Sequence, residues 1–150
     1  MRVCIQRVRH CRLSIGGSLF SEIGHGLLVL VGIEATDTDK DIEWLCGKIS
    51  RLRIFDDGAG VMNLDVNQVG GEVMAVSQFT LYASTHKGNR PSYIRSAPEA
   101  FSRPMYEQFV EALAKCVERH VARGEFGADM QIELLNDGPV TIIIDSKQRE

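Results

Sequence analysis

Apolar and polar residues alternate along the first third of the chain, and the pattern predicts strands. Residues 2–9 form one alternating segment, residues 12–15 extend it, and a Gly-Gly pair separates them from residues 18–23. We therefore predict a strand that leads into a β-hairpin. Residues 26–33, GLLVLVGI, are almost wholly apolar, and this short length predicts a strand buried on both faces.

Two longer segments have apolar residues at helical spacing. The first has four of them: Ile42, Leu45, Ile49 and Leu52. They lie on one side of a helix that we predict over residues 39–53. Thr38, followed by Asp41 three residues later, resembles a capping box with Asp in place of Glu. The second helix is predicted to begin near Pro104 and to end before Gly124. Its apolar residues are Tyr106, Phe109, Val110, Leu113, Val117 and Val121.

A brief strand pairing is expected at residues 61–66, and three further strands are predicted at residues 72–83, 130–135 and 140–145. The last two are separated by Asn-Asp-Gly-Pro at 136–139, which by itself is typical of a hairpin turn. Strands outnumber helices, and the early strands have short connections. We therefore predict one domain over residues 1–150 of the α+β class, with antiparallel β-sheets curled toward a barrel and two long helices packed on them.

Composition and charge narrow the function classes. The 150 residues are 44% hydrophobic and carry a net charge of −3, which argues against a protein that coats nucleic acid. No run of apolar residues is long enough to span a membrane, so we expect no association with a membrane. The four cysteines lack C-x-x-C spacing and the four histidines are far apart, so we expect reduced thiols in the cytoplasm and neither metal nor cofactor.

The end of the 72–83 strand carries unexpected polar groups: Ser77, Gln78 and Thr80, with Phe79 between them. If the strand continues, Gln78 and Thr80 share one face and the other two residues share the opposite face. One of these two faces could form the wall of a pocket. Alternatively, the hydroxyl groups cap local backbone and Gln78 lies at a sheet edge. No G-x-S-x-G elbow is present, but a triad of Ser77 or Thr80 with His86 and an Asp stays open.

The turn at 136–139 is a second candidate. Gly138 adopts backbone conformations that other residues resist, and Pro139 fixes its own φ. The peptide bond between them is a candidate for the cis form. Such a turn presents backbone carbonyl groups rigidly, with little side chain in front of them.

Two segments resemble the motifs of a known family. SQFTLYA at 77–83 is similar to the SQFTL motif of D-aminoacyl-tRNA deacylases, and NDGPVT at 136–141 is similar to their N-x-GPVT motif. Supporting segments occur in the family's order: IQRV at 5–8, GLLVLVG at 26–32, RIF at 53–55, MNL at 62–64, GNRPS at 88–92 and ADMQ at 128–131. The resemblance covers nearly the whole chain.

The resemblance implies a homodimer with its sites at the subunit interface. It implies hydrolysis of the ester that joins a D-amino acid, or glycine, to tRNA, as proofreading that spares L-aminoacyl groups. Ser77, Gln78, Phe79 and Thr80 would line the pocket. Gly138 and Pro139 would be the cis Gly-Pro motif that reaches into the partner's pocket, Arg7 would anchor that loop, and Met130 would lie near the 3′ terminal adenosine.

The implied partner is aminoacyl-tRNA, not DNA. Four basic residues are candidate contacts for the end of the tRNA: Arg2, Arg9, Lys87 and Arg90. Two other function classes remain open. One is an esterase that acts on small molecules through Ser77 or Thr80, and the other is a non-catalytic RNA-binding β domain.

Two mechanisms of attack also stay open. In one, Thr80 is the nucleophile; in the other, the free ribose hydroxyl of the substrate positions or activates a water. We favour the second, because no histidine or carboxylate lies within a few residues of Thr80 to act as its base.

Overall fold

The computed structural model describes residues 1–149, which contain eight strands and two α-helices. The strands are β1 (Arg2–Ile15), β2 (Ser18–Ile23), β3 (Gly26–Gly32), β4 (Phe55–Asp56), β5 (Met62–Leu64), β6 (Glu72–Ser77), β7 (Val121–Arg123) and β8 (Met130–Asp145). The helices are α1 (Asp39–Ser50) and α2 (Glu99–Cys116). The α+β class and the two packed helices are confirmed.

The main sheet is mixed and nearly closes into a barrel. Its order is β2-β1-β3-β6-β7, with β8 paired to β1. The first half of β1 lies between β3 and β8, and its second half lies between β2 and β8. At the open edge, the Ser21 hydroxyl of β2 donates a hydrogen bond to the Arg123 carbonyl oxygen of β7 at 3.0 Å.

Two of the strand pairings are parallel, so the expectation of antiparallel pairing is wrong at these two places. β3 pairs with β6, and β6 pairs with β7, in parallel. The physical reason is the connection between the strands: α1 lies between β3 and β6, and α2 lies between β6 and β7. A connection of this length can return the chain to the same end of the sheet, as a parallel pair requires.

The core has two parts, one on each face of the sheet. Successive residues of β3 face them alternately: Leu27 and Val29 pack toward the helices, and Leu28 packs inside the barrel. This confirms a strand that is buried on both faces. The barrel interior contains Val8, Cys11, Leu13, Ile23, Leu28, Met74, Val76 and Ala122.

Helix α1 begins with the predicted capping box. The backbone N–H of Thr38 donates to the Asp41 carboxylate at 2.8 Å, and the Thr38 hydroxyl contacts the same oxygen at 2.9 Å. Asp41 is buried and also binds Lys147 Nζ at 2.7 Å. The box therefore also fixes the chain just after β8.

Helix α2 differs from its predicted bounds at both ends. It begins at Glu99, so Pro104 lies inside it, and it ends at Cys116. The predicted continuation to Gly124 is wrong, because Val121 pairs with Val73 of β6 and forms β7. The apolar residues at 117 and 121 fit a helix by spacing, but pairing with β6 decides the outcome.

Two further expectations concern the whole chain. None of the four cysteines is in a disulfide. Within residues 1–149, neither helix has the length and apolar character needed to cross a membrane.

Candidate active site

A pocket of about 310 Å³ opens where β6 ends. Ser77 is the last residue of β6, and the backbone N–H of Gln78 still donates to the Val31 carbonyl oxygen of β3 at 2.7 Å. Ser77, Gln78 and Phe79 form one wall, and Met130 at the start of β8 lies on another. Four of the lining residues are apolar and come from the strands: Val31, Val76, Met130 and Ile132.

The predicted strand over 72–83 is wrong beyond Ser77. Residues Phe79–Tyr82 form one turn of 3₁₀ helix, so strand alternation does not place Gln78 and Thr80 on a common face. They meet by a different route: the Gln78 side-chain amide donates a hydrogen bond to the Thr80 hydroxyl. The turn forms where β6 leaves its neighbours, and the Leu81 N–H and Ala83 N–H donate to carbonyl groups three residues back.

The turn leaves two backbone donors unpaired, one on Phe79, which lines the pocket, and one on the next residue, Thr80. Within the described chain, no hydrogen bond uses the N–H of Phe79 or of Thr80. The first N–H groups of any helical turn lack an acceptor within that turn. A ligand oxygen held at this point of the pocket would therefore meet unpaired donors.

Gly32 at the end of β3 lets the turn lie against the sheet. A Cβ at Gly32 would stand 3.0 Å from Leu81 Cβ, 3.2 Å from the Gln78 carbonyl oxygen and 3.2 Å from the ring of Tyr82. The missing side chain therefore sets how close residues 78–82 approach β3. The sequence predicts only that Gly32 belongs to the strand at 26–33, because the residues that it contacts lie far away along the chain, at 78, 81 and 82.

The Tyr106 hydroxyl holds together two backbone segments next to the pocket. It donates to the carbonyl oxygens of Ala75 at 2.8 Å and Gly124 at 3.3 Å, and so links β6 to the segment after β7. Burial raises the pKa of this phenol, so it stays a donor at neutral pH. The helical spacing of Tyr106 predicted a core position but gave no signal for this contact.

Gly124 also has a role that sequence reasoning missed. It was predicted to stop a helix, but it is buried beside the pocket. A Cβ there would lie 2.7 Å from the sulfur of Met130 and 3.4 Å from Val76. The absence of a side chain therefore makes room for Met130.

The second predicted group lies in the middle of β8. Residues 130–145 form one strand that pairs with β1 on both sides of residues 137–140, so the hairpin turn expected at 136–139 is wrong. Between the pairs Val8–Asn136 and Gln6–Thr141, β8 has four residues opposite one residue of β1. The extra residues bulge outward, which exposes Gly138 and Pro139, and the peptide bond between these two is cis.

β1 holds the bulge with charged and polar groups. Arg7 is buried and donates from Nε to the Asp137 carbonyl oxygen at 3.1 Å, and Arg9 pairs with the Asp137 carboxylate at 3.0 Å. Inside the bulge, Asn136 Oδ1 accepts a hydrogen bond from the Val140 N–H at 3.0 Å. The bulge therefore has fixed backbone although its tip is exposed.

The structure thus brings the eight predicted residues into two groups. Ser77, Gln78, Phe79 and Met130 line one pocket, and Thr80 follows directly in the chain. Arg7, Gly138 and Pro139 are absent from its lining. Gly138 stands eight residues beyond Met130 on β8, roughly 20–25 Å along the strand. Within one chain the two groups are separate.

Residues 1–149 contain no group of His, Cys, Asp or Glu side chains arranged to hold a metal ion. The polar side chains that line the pocket are the Ser77 and Ser102 hydroxyls, the Gln78 amide and the Asp129 carboxylate.

The comparisons with known proteins assign the family. Residues 4–145 match the sequence model of the D-Tyr-tRNA(Tyr) deacylase family. This chain belongs to that family. The D-aminoacyl-tRNA deacylase of Parabacteroides distasonis is 59% identical and that of Bacteroides thetaiotaomicron 54% identical, each over all 150 residues of both chains.

Two solved structures have folds similar to that of this chain. A c-Myc DNA unwinding element binding protein has 38% identity and a TM-score of 0.92, covering 97% of this chain and 98% of its own. A probable eukaryotic D-amino acid tRNA deacylase has a TM-score of 0.82, covering 95% of this chain and 97% of its own. At 15% identity, the second likeness shows the fold alone.

Proposed function

We propose that this protein hydrolyses the ester bond of D-aminoacyl-tRNA and of mischarged glycyl-tRNA, releasing free tRNA and the amino acid. The observation that carries the proposal is the pocket at the end of β6, in which Ser77, Gln78 and Phe79 face Met130. Ser77, Gln78 and Phe79 belong to the segment that resembles the SQFTL motif of the deacylases, and relatives at 54–59% identity over their full length are named D-aminoacyl-tRNA deacylase.

Backbone N–H groups would stabilise the transition state. Ester hydrolysis builds negative charge on the carbonyl oxygen, and the unpaired N–H groups of Phe79 and Thr80 are available to bind it. Fixed donors of this kind need no rearrangement as the charge develops, and one such donor commonly contributes about 3 kcal/mol.

The contacts of Thr80 favour attack by a water over attack by its hydroxyl. That hydroxyl accepts a hydrogen bond from the Gln78 amide nitrogen, and an amide nitrogen cannot take up a proton. Within residues 1–149 no hydrogen bond joins this hydroxyl to a carboxylate or a histidine, including Asp129 of the pocket lining, and a threonine without a base is a poor nucleophile. We therefore assign the activation of water to the free ribose hydroxyl of the substrate. The protein contributes placement, which is worth roughly 7–11 kcal/mol at best.

Chirality would be measured by the bulge of a second subunit. Backbone carbonyl groups of Gly138 and Pro139 would bind the amino group of the substrate and occupy the space that an L side chain needs. A D side chain would point to solvent and meet nothing, so different D-amino acids would be treated alike. Rejection by repulsion suits a hydrolase that must spare correct products.

This assignment requires a homodimer, because the two groups are separate within one chain. Exposed apolar side chains on β8 support a second copy: Leu135 is 52% and Ile143 is 67% exposed. Phe79 at the pocket mouth is 57% exposed. The 3′ terminal adenosine would then lie against Met130. The unpaired cysteines agree with action in the reducing cytoplasm.

One assay tests the function. The purified protein is incubated separately with D-tyrosyl-tRNA, L-tyrosyl-tRNA and a small D-tyrosine ester, and the release of tyrosine is followed. We expect hydrolysis of the first substrate and little of the other two. Equal turnover of the small ester would indicate an esterase, and tRNA binding without cleavage would indicate a binding domain. A duplex DNA competitor should leave the rate unchanged.

A further inference from the structure

One segment of this acidic protein contains no acidic residue. The chain has 20 Asp and Glu against 17 Lys and Arg, yet none of the acids lies between Glu72 and Glu99. The same segment carries Lys87, Arg90 and Arg95. It also begins with the strand that leads into the pocket, so positive charge is concentrated in the part of the sequence that forms the candidate site.

The backbone closes part of this segment into a loop. Ser84 and Ser92 pair through two hydrogen bonds, of 2.8 Å and 2.9 Å between their backbone N–H and carbonyl groups. Residues 85–91, called the basic loop below, lie between them. Lys87 and Arg90 flank Gly88, whose φ of +92° allows a tight turn.

The two cations of the basic loop have no partner in the described chain. Lys87 and Arg90 are exposed, and within residues 1–149 neither takes part in an ion pair or a side-chain hydrogen bond. Other candidates are already engaged. Arg2 binds Asp145 at 2.9 Å, and Arg9 binds Asp137 at 3.0 Å.

Residues just after the basic loop fix it to the pocket. The Ser96 hydroxyl donates to the Phe79 carbonyl oxygen at 2.8 Å, and the ring of Tyr93 packs edge-on against that of Phe79 at 5.0 Å between centroids. Ala97 lines the pocket itself. The position of the basic loop is therefore coupled to the wall that holds the ester.

We propose that the basic loop binds the sugar-phosphate backbone of the tRNA acceptor arm through Lys87 and Arg90, while the pocket holds the aminoacyl end. The inference rests on the proposed function and deepens it. Two free cations without acidic neighbours suit phosphate groups, which carry one negative charge each. Contacts to phosphate carry no sequence information, as an enzyme that acts on many tRNAs requires.

The test compares one substrate that has the phosphate backbone with one that lacks it. The double variant Lys87→Gln/Arg90→Gln and the wild-type protein are assayed on D-tyrosyl-tRNA and on D-tyrosyl-adenosine, which has the same ester and no phosphate. We expect the ratio of kcat/KM on tRNA to kcat/KM on adenosine to fall about tenfold at low salt. Loss of two phosphate contacts should also lower the slope of log affinity against log salt by about 1.4–1.8.

A matched control removes the same charge elsewhere. Lys115 and Arg119 are exposed near the end of α2, whereas Ser102 near its start borders the pocket. Thirteen residues of helix between Ser102 and Lys115 place Lys115 roughly 20 Å away. The variant Lys115→Gln/Arg119→Gln should leave the ratio unchanged. The charge-retaining variant Lys87→Arg/Arg90→Lys should keep most of the wild-type ratio of kcat/KM on tRNA to kcat/KM on adenosine.

Equilibrium binding of uncharged tRNA supplies a readout that does not depend on catalysis. Weaker binding by the Lys87→Gln/Arg90→Gln protein, with a reduced salt slope, supports the inference even if the proposed hydrolysis fails in the wild type. Unchanged binding and an unchanged ratio would overturn it. Equal losses on tRNA and on adenosine, or equal losses in the Lys115/Arg119 control, would also overturn it.

Discussion

The Arg7 guanidinium joins two distant segments: it donates to the Asp137 carbonyl oxygen at 3.1 Å and to the Ile54 carbonyl oxygen at 2.6 Å. Arg7 is 6% exposed, so both contacts lie away from solvent. Of the two arginines that contact Asp137, Arg7 is therefore the buried one, and Arg9 is exposed. The hydrogen bond from Arg7 to Asp137 fixes the backbone next to the exposed Gly138-Pro139 tip.

Removal of the Arg7 guanidinium should both destabilise the fold and release the bulge. In Arg7→Met, two carbonyl oxygens lose their donor at about 1–3 kcal/mol each, so the free energy of unfolding should fall by at least about 2 kcal/mol. Urea unfolding measures this. Deacylation should fall more steeply than the folded fraction.

Arg9→Gln is the matched control. It removes an ion pair to the same Asp137, but Arg9 is 63% exposed in its side chain, so the effect should stay below about 1 kcal/mol. Equal effects at positions 7 and 9 would show that burial of the guanidinium is not what holds the bulge.

Gly32 should control the shape of the pocket with little change in the rest of the fold. In Gly32→Ala the new methyl group has to displace the Gln78 carbonyl oxygen or the Leu81 side chain by a few tenths of an ångström. We expect kcat/KM on D-tyrosyl-tRNA to fall by at least tenfold while the far-ultraviolet circular dichroism spectrum is retained.

Gly47→Ala is a control with the same chemical change. Its Cβ would meet only the flexible end of Arg51, inside α1. The helix should gain up to about 1 kcal/mol, and activity should be unchanged. Full activity in Gly32→Ala would mean that the 3₁₀ turn does not need its close approach to β3.

Thr80→Val distinguishes the two mechanisms of attack. Valine keeps the shape and the backbone N–H but removes the hydroxyl. If the ribose hydroxyl activates water, most activity should remain, because the lost group only accepts a hydrogen bond from Gln78. Single-turnover deacylation of D-tyrosyl-tRNA provides the rate. A fall to the uncatalysed rate would assign the nucleophile to Thr80.

Particular residues show how far the sequence alone predicts this structure. The period of Ile42, Leu45 and Ile49 predicted α1, because only one face of that helix is buried. Val121 fits a helical period equally well, and its pairing with a strand that lies 48 residues earlier leaves no local signal. Long-range pairing, not propensity, decides such positions.

In the candidate site, too, the sequence indicates some residues and gives no signal for others. Ser77, Gln78 and Phe79 line the pocket, and only the resemblance to the deacylase motif implies this position, because the residues by themselves fit a cap of local backbone equally well. Their geometry was predicted from strand alternation, which fails where β6 loses its neighbours and the chain turns. Gly32 and Tyr106 contact the site only through tertiary packing, so no pattern in the sequence indicates them.

Asp41 makes the stability depend on pH. Burial by itself raises the pKa of this carboxyl, but hydrogen bonds from Lys147, Ser146 and Thr38 outweigh it and hold the pKa well below its usual range. As the pH falls below about 4, the unfolded state binds a proton first. The stability that Asp41 contributes is therefore complete above that pH and is lost below it.

Asp41→Asn measures this contribution. The variant should be less stable than the wild type at pH 7, and the difference in unfolding free energy should shrink between pH 4 and pH 2.5. Asp39→Asn, in the same turn but exposed, should change stability by less than about 0.5 kcal/mol throughout. A difference for Asp41→Asn that is constant with pH would exclude its carboxylate as the source.

Complementation between two impaired proteins tests the proposed homodimer. One protein carries Gly32→Ala beside the pocket, which we expect to lower the rate at least tenfold, and the other carries a deletion of Gly138 and Pro139 in the bulge. Each homodimer has both of its sites damaged. In a mixed dimer, however, one site would combine an intact pocket with an intact bulge from the other subunit.

Mixing equal amounts under conditions that exchange subunits should therefore restore activity. Random pairing gives half of the dimers one intact site each, which corresponds to about a quarter of the wild-type rate. If pocket and bulge acted within one chain, no mixture would contain an intact site and the rate would stay at that of the parent proteins. Size-exclusion chromatography with light scattering confirms that the mixture is dimeric, so an inactive dimer would refute the shared site itself.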